Sequence, residues 1–545
     1  MESPFKSTRG NFLLFLLLII TLWRLGLGQL YLFDWDEINF AEIAREMRIS
    51  GNWGQPTVGF LPFHEKPPLF SWLQAFAMGW TEQSDLGARL PNLLCGLLSL
   101  ALLFRIGSRL KGQLFGWLWA AFMGLSILPS LYFRSGIIDP WFNLFLLLAA
   151  DRIVVWELRS RKTWALLSWA GLWLGLAILT KGPAGGLILA LFIGLQLWRD
   201  QGRYWYRYLL VGLIGLLPIL LWLLWLWPQD DGFFTREFLR YQWRLFSQPD
   251  AGHGGFPGYH FVVLLFGCFP ASIFALPALF RKSAGGIGPA VHYDRRMRDL
   301  FWVVLILFSI VSTKIVHYSS LCYFPLTYLA ARTALSWFNG HWKPTRNWWR
   351  LLIACWSLFM ILALALPLLA QTIPVWKDWF GDELGHWLEV EQNWPWICYL
   401  PGLIALGLFI RLLLLAKKNA PTASISSSLI GTALFLYLGL ALFAGRIQNY
   451  SQGPLVSFYQ QQSKKEVYFG TAYHKSYAPI YYGRLRQQRG GKQRDWLFHG
   501  PIDADLYFSS PRRKREQVLR EVPDAELLYE AGAYAFYRRP MRLKQ

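Results

Sequence analysis

Many stretches of this chain carry no Asp, Glu, Lys or Arg over about the width of a bilayer, among them 112–133, 163–180, 182–198, 208–229, 351–376 and 419–445. A helix needs roughly 20 apolar residues to cross the hydrocarbon core. These runs are continuous rather than alternating, so they read as helices and not as strands of a closed barrel. The rest of the composition agrees: 54% of the 545 residues are hydrophobic, 17% are aromatic and 30 are Trp. A soluble domain does not carry that load. Applied to every apolar run, the length rule gives about 13 spans. They fall near 12–30, 90–108, 113–132, 138–156, 163–180, 182–198, 208–227, 258–280, 299–313, 318–337, 351–371, 395–416 and 427–445.

The first run follows Lys6 and Arg9, as in a signal peptide. It is long, contains Trp23 and Arg24, and ends without a small-x-small cleavage pattern, so it reads as a retained span. The five cysteines (Cys95, Cys268, Cys322, Cys355 and Cys398) lie in or at the ends of apolar runs and form no CxxC pair. They are expected to be small packing residues, not a disulfide framework or a thiolate metal site.

The net charge is +21, much of it in loops between spans and in the C-terminal tail. That suits contact with anionic lipid headgroups. No recognisable soluble basic domain is present that would make nucleic acid a partner. Lys and Arg alternate by side. One set of loops holds Arg105/Arg109/Lys111, Arg159/Arg161/Lys162, Arg199/Arg203/Arg207, Arg281/Lys282/Arg295/Arg296/Arg298, Lys343/Arg346/Arg350 and Arg411/Lys417/Lys418. The opposite short loops hold little beyond Arg134, Lys181, Lys314 and Lys377. The positive-inside rule puts the rich set in the cytoplasm, which agrees with Lys6 and Arg9.

Asp36, Glu37, Asp139, Lys181 and Lys314 then face outward, together with the loops 31–89 and 228–257. Scattered carboxylates and lone lysines on one face suit an anionic, phosphate-bearing substrate. After residue 445 the apolar runs shorten to 467–469, 505–508, 527–529 and 534–537, which read as strands. A helix is expected to open at Ser510-Pro511 and run to about Leu519. The expected architecture is an α-helical polytopic membrane domain over 1–445, with a small α/β domain over 446–545 on the outer, periplasmic side.

Carboxylates beside a membrane usually face water or do chemistry. Asp36 and Glu37 leave the first span and open a helical segment, 38–50. One of them can orient or deprotonate an acceptor, or hold a divalent cation that does so. The structural alternative is helix capping, which needs a single Asp. Glu37 and Arg45 are eight residues apart and share a helix face. Lys66, before Pro67-Pro68, can bind phosphate as a point charge or snorkel at the interface. Asp139 precedes Pro140 at the outer start of a span, where capping is a serious alternative, and the adjacent Arg134 can pair with it or with substrate. Lys181 and Lys314 each stand alone among apolar residues and are further phosphate-binding candidates. In 233–260, Phe234, Phe238, Tyr241 and Leu245 have the spacing of an interfacial helix. The spacing of His64, His253 and His260 is not diagnostic of a metal site, and none is assigned.

Together these segments resemble the C-fold glycosyltransferases, and family 39 in particular, which holds lipid A aminoarabinose transferases and protein O-mannosyltransferases. The similarity covers roughly 12–335. It is carried by Asp36-Glu37, 40–47 (FAEIAREM), Ser50-Gly51-Asn52-Trp53, Glu65-Lys66-Pro67-Pro68, Ala88-Arg89-Leu90-Pro91, Asp139-Pro140, 179–183 (LTKGP) and Ser312-Thr313-Lys314. The resemblance implies inverting transfer of a sugar from a polyprenyl-phosphate, such as undecaprenyl phosphate, on the periplasmic face of the bacterial inner membrane. By analogy, Asp36 is the acceptor-activating carboxylate, supported by Glu37 and Asp139. Lys66, Arg134, Lys181 and Lys314 form the phosphate cradle, and Arg45, Glu65, His317 and Tyr318 contact substrate. Lipid A aminoarabinose transferases tend to have Thr-Arg-Tyr after Asp-Glu, whereas this chain has Ile38-Asn39-Phe40.

The expected acceptor is an envelope glycolipid such as lipid A, with a protein hydroxyl second. A transporter or flippase of lipid-linked sugars is the competing class. It would place charges near mid-membrane and often shows internal repeats. A structural envelope protein would need only one span to anchor it.

Overall fold

The computed structural model describes residues 9–541 except 83, 161, 200, 204, 248–254 and 281–287. Lys6, Arg161, His253, Arg281 and Lys282 therefore lie outside the described residues. In chain order the first helices are α1 (Arg9–Arg24), α2 (Asp36–Ser50), α3 (Leu69–Trp80), α4 (Asp85–Lys111), α5 (Gln113–Leu125), α6 (Ile127–Tyr132), α7 (Asp139–Leu158) and α8 (Trp164–Lys181). Then come α9 (Ala184–Arg199), α10 (Trp205–Leu226), α11 (Phe233–Ser247), α12 (Tyr259–Gly267), α13 (Ala271–Phe280), α14 (Pro289–Ile310), α15 (Tyr323–Phe338) and α16 (Arg346–Gln371).

Every apolar run read from the sequence is helical, although the runs 113–132 and 258–280 are each broken into two helices. Among the described residues, six helical segments are long and apolar enough to cross a membrane. They are Asp85–Lys111, Trp164–Lys181, Trp205–Gln229, Arg346–Gln371, Trp396–Ala416 and Pro421–Tyr450. Shorter apolar helices (Gly10–Arg24, Gln113–Leu125, Ala184–Arg199 and Ala271–Phe280) accompany them. One continuous core of Leu, Phe, Trp and Ala joins these helices. Leu and Trp side chains stay exposed along α10, as a lipid-facing surface requires.

The segment between α1 and α4 is built around α2, which is buried from Glu37 to Met47. Two apolar stripes explain this. Ile38, Ala41 and Ala44 pack against Leu455, Val456, Phe458, Tyr459, Tyr481 and Tyr482 of the tail. Phe40, Ile43 and Met47 pack against Phe63, Phe70 and Ile138. Gly51 ends the helix at φ 70°, donating its N–H to the Met47 carbonyl, a left-handed cap that favours glycine. A hairpin follows, β1 (Thr57–Val58) with β2 (Leu61–Pro62).

The tail forms a four-stranded sheet of β3 (Tyr468–Thr471), β4 (Leu506–Pro511), β5 (Glu526–Ala531) and β6 (Tyr534–Arg539), in the order β3-β4-β6-β5. β3 and β4 run parallel, and the other pairs are antiparallel. All four strands were legible as apolar runs. The helix expected from Ser510 starts later, at Arg515, because β4 stays paired with β6 through Pro511–Tyr534. The sheet is not an independent cap. Its core is continuous with α2, and Arg45 donates to the Leu485 carbonyl (3.0 Å). Tyr482 donates its hydroxyl to Asp85 (3.0 Å) and accepts from the Leu32 amide (2.7 Å).

Candidate active site

Beside α2 lies a cavity of about 450 Å³, within the range of ligand sites. Several separate segments supply its polar groups. Asp36 and Asn39 come from α2, Lys66 from the Pro67-Pro68 turn before α3, Asp139 from the first turn of α7, and Lys181 from the last turn of α8. Gln242 and Arg244 reach it from α11, Thr313 and Tyr318 follow α14, and Lys475 and Tyr477 arrive from the tail. Lys66, Lys181, Arg244 and Lys475 face Asp36, Glu65 and Asp139, so cations outnumber carboxylates.

Asp36 owes its position to a strained turn. Trp35 takes φ 81°, ψ −92°, a rarely populated conformation for a residue with a Cβ. The carboxylate is half exposed (51%) and makes no hydrogen bond to protein among the described residues. Capping therefore does not explain it. Asp139 is buried at the positive end of α7 and ion-paired with Lys181. The Lys181 ammonium also lies over the rings of Phe142 (5.5 Å) and Tyr318 (5.3 Å). His317 stands between the two acids, with Nε2 3.7 Å from Asp36 and 3.9 Å from Asp139. Burial pushes its imidazole below the usual range, with Lys181 adding to the shift and Asp139 and Asp36 opposing it. Burial, and then the nearby Lys181, push the Lys66 ammonium down; Glu65, Asp36 and Asp139 oppose the shift. An anion seated here would compensate the charge that burial penalises.

The structure does not bring every sequence candidate to this cavity. Glu37, assigned as a supporting catalytic acid, is 1% exposed. It accepts from Arg89 Nε (3.1 Å) and Nη2 (2.8 Å), from the Phe33 amide (2.8 Å) and from the Gly136 amide. Arg89 continues the clamp to the carbonyls of Leu27, Leu30 and Tyr31. Arg45, assigned to substrate, is buried against Glu42 (2.6 Å) and the tail. Beside it, burial and then Glu42 push the Glu46 carboxyl up to about 9. Its Oε2 accepts from the Thr57 hydroxyl (2.6 Å) and the Phe60 amide (2.9 Å), which fixes the hairpin to α2.

Arg134 and Lys314 leave the expected phosphate cradle. Arg134 donates to the Leu25 carbonyl and lies over the Tyr437 ring (5.4 Å). Lys314 donates to the carbonyls of Phe308 (3.0 Å), Ser309 (2.6 Å) and Val311, satisfying the C-terminal end of α14. Glu65 and Tyr318 do line the cavity. Sequence reasoning missed Lys475, Tyr477 and Gln242. Lys475 and Tyr477 lie more than 400 residues from Asp36 in the chain, and no local motif marks them.

Among the described residues, no group of three or more His, Cys, Asp or Glu side chains converges as a metal site. Asp139 is already engaged by Lys181. This donor set does not fit a divalent cation.

A helical domain, a packed loop around α2 and a small α/β tail together enclose this cavity. The chain aligns over 99% of its length with 100% of the ArnT crystal structure from Cupriavidus metallidurans bound to undecaprenyl phosphate, with a TM-score of 0.75 and 17% identity. Residues 65–225 match the family described as dolichyl-phosphate-mannose-protein mannosyltransferase. Among curated proteins, the undecaprenyl phosphate-alpha-4-amino-4-deoxy-L-arabinose arabinosyl transferase of Shewanella sediminis is 27% identical, over 77% of this chain and 78% of that one. The Pectobacterium carotovorum protein of the same name is also 27% identical, over 60% of this chain and 58% of that one. The resemblance to family 39 carried by the sequence motifs is borne out.

Proposed function

We propose that this chain is an inverting glycosyltransferase that moves a sugar from a polyprenyl monophosphate, of the undecaprenyl type, to an envelope glycolipid such as lipid A. The observation that carries this reading is the convergence of Asp36, Lys66, Asp139 and Lys181 on one cavity. The loop charges favour placing that cavity on the periplasmic face of the inner membrane, with about 13 spans and the tail outside.

In the reaction, an acceptor oxygen attacks the anomeric carbon opposite the phosphate. The new C–O bond forms as the bond to the phosphate oxygen breaks, and the polyprenyl phosphate leaves with the electron pair. Lys66 and Lys181 stabilise the charge that grows on it, a preorganised electrostatic contribution. Asp36 orients the acceptor and takes its proton where the attacking oxygen carries one. Asp139 holds Lys181 in place, and His317 stands between the two carboxylates. Asn39 and Phe40 line the wall beside Asp36, where they contact the transferred sugar or its acceptor.

The test is transfer by purified protein in nanodiscs, from undecaprenyl-phosphate aminoarabinose and related sugars to lipid A, read by mass spectrometry. A glycosylated lipid product supports the reading. Glycosylation of protein alone moves the acceptor to hydroxyl side chains. Donor translocation with no new glycosidic bond contradicts the reading.

Lys66→Ala removes a charge-assisted contact, so the donor KM rises roughly tenfold or more. The pH profile has a defined sign. Phosphate binding needs the protonated ammonium, so donor affinity is full below the depressed Lys66 pKa and falls as pH rises through it. Lys66→Arg keeps its charge and extends binding to higher pH, whereas Lys66→Ala flattens this limb; identical profiles for all three proteins would remove Lys66 from the phosphate site.

A further inference from the structure

A second cavity of about 530 Å³ adjoins the first and shares Trp35 and Lys475 with it. Its other walls come from the tail (His474, Arg512, Arg513 and Tyr534), from His386 and Trp387 in the segment after α16, and from Gln452. Three cations line it against one acid, Asp34. That carboxylate is already occupied, accepting from the amides of Trp35 (2.8 Å) and Tyr477 (3.0 Å).

The cations are held in different ways. Arg512 is fixed by ion pairs to Glu389 (2.6 Å) and Glu530 (2.8 Å). Lys475 makes no ion pair among the described residues, and its ammonium lies over the rings of Trp35 (5.0 Å) and Tyr477 (5.4 Å). Aromatic faces border the cationic groups, with Trp387 and Tyr534 packed edge to face at 5.4 Å. Flat apolar rings suit the faces of sugar rings, and Lys and Arg suit phosphate. The shared wall at Trp35 is the residue immediately before Asp36.

We propose that this second cavity binds the acceptor's head through an anionic group that does not itself react, so that a phosphorylated saccharide spans from Arg513 past Lys475 to Asp36. The inference rests on the glycosyltransferase reading and adds the acceptor subsite to it. The strained Trp35 then separates donor from acceptor, and the tail becomes part of the acceptor-recognition surface.

The test uses the full-length protein in nanodiscs, with lipid A carrying two phosphates and lipid A carrying one. The variants are Lys475→Gln, Arg513→Gln and the charge-keeping Arg513→Lys. Wild type is expected to show the lower KM for the bis-phosphorylated acceptor. In both Gln variants that KM rises roughly tenfold, towards the mono-phosphorylated value, because one charge-assisted contact is lost. Arg513→Lys retains most of the preference. In Arg513→Gln, whose side chain lines only the second cavity, the donor KM and the KM for the mono-phosphorylated acceptor serve as folding controls and move less than about twofold. Unchanged discrimination in both Gln variants, or equal KM shifts for the two acceptors, overturns the subsite. Absence of any transfer by wild type overturns the underlying reading instead.

Discussion

Asp36→Asn is expected to lower the transfer rate by roughly a thousandfold while the protein accumulates and melts as wild type does. The two halves of that expectation have separate physical grounds. Asparagine keeps the shape and the hydrogen-bonding capacity of the side chain but removes its charge and basicity, so what disappears is proton acceptance and electrostatic orientation of the acceptor. A thousandfold loss corresponds to about 4 kcal/mol of transition-state stabilisation. Stability should not follow, because the Asp36 carboxylate is half exposed and carries no hydrogen bond that the fold uses among the described residues. Steady-state transfer and a thermal melt on the same preparation check both halves; wild-type turnover would remove Asp36 from the mechanism.

The neighbouring residue should behave in the opposite way. Glu37→Ala strands the buried Arg89 guanidinium, and breaking one partner of a buried pair typically costs about 3–5 kcal/mol. It also removes the acceptor for the Phe33 and Gly136 amides. The expected result is a large drop in melting temperature and in yield, with the surviving folded fraction still transferring sugar. A double variant, Glu37→Ala with Arg89→Met, should recover part of the stability, since it removes the uncompensated charge along with its partner. A Glu37→Ala protein of normal stability and no activity would instead return Glu37 to the chemistry.

This contrast shows how far the residues could be read in advance. The apolar runs declared the helices, because only a continuous hydrophobic helix satisfies its backbone in lipid. The short apolar runs after residue 445 declared the strands for a similar reason. Asp36 and Glu37 were legible as an acidic pair but not as two different residues. Consecutive positions on a helix point about 100° apart, so one meets the cavity and the other meets Arg89. Lys181 and Lys314 looked alike as lone outer lysines. Their fates diverge because Lys181 ends its helix opposite Asp139, whereas Lys314 curls back onto the carbonyls of α14. Arg134 turns to the Leu25 carbonyl and the Tyr437 ring, because sequence position does not decide which way a long side chain turns. Lys475 could not be found at all, because its place depends on how a distant tail docks on α2.

The most direct measurement is a structure of the protein with a polyprenyl-phosphate sugar bound in a lipid nanodisc. The donor phosphate is predicted to sit within about 3 Å of Lys66 Nζ, at charge-assisted hydrogen-bond distance, with the sugar in the cavity facing Asp36. A phosphate lodged at Arg134 or Lys314, or a sugar held away from Asp36, would contradict it.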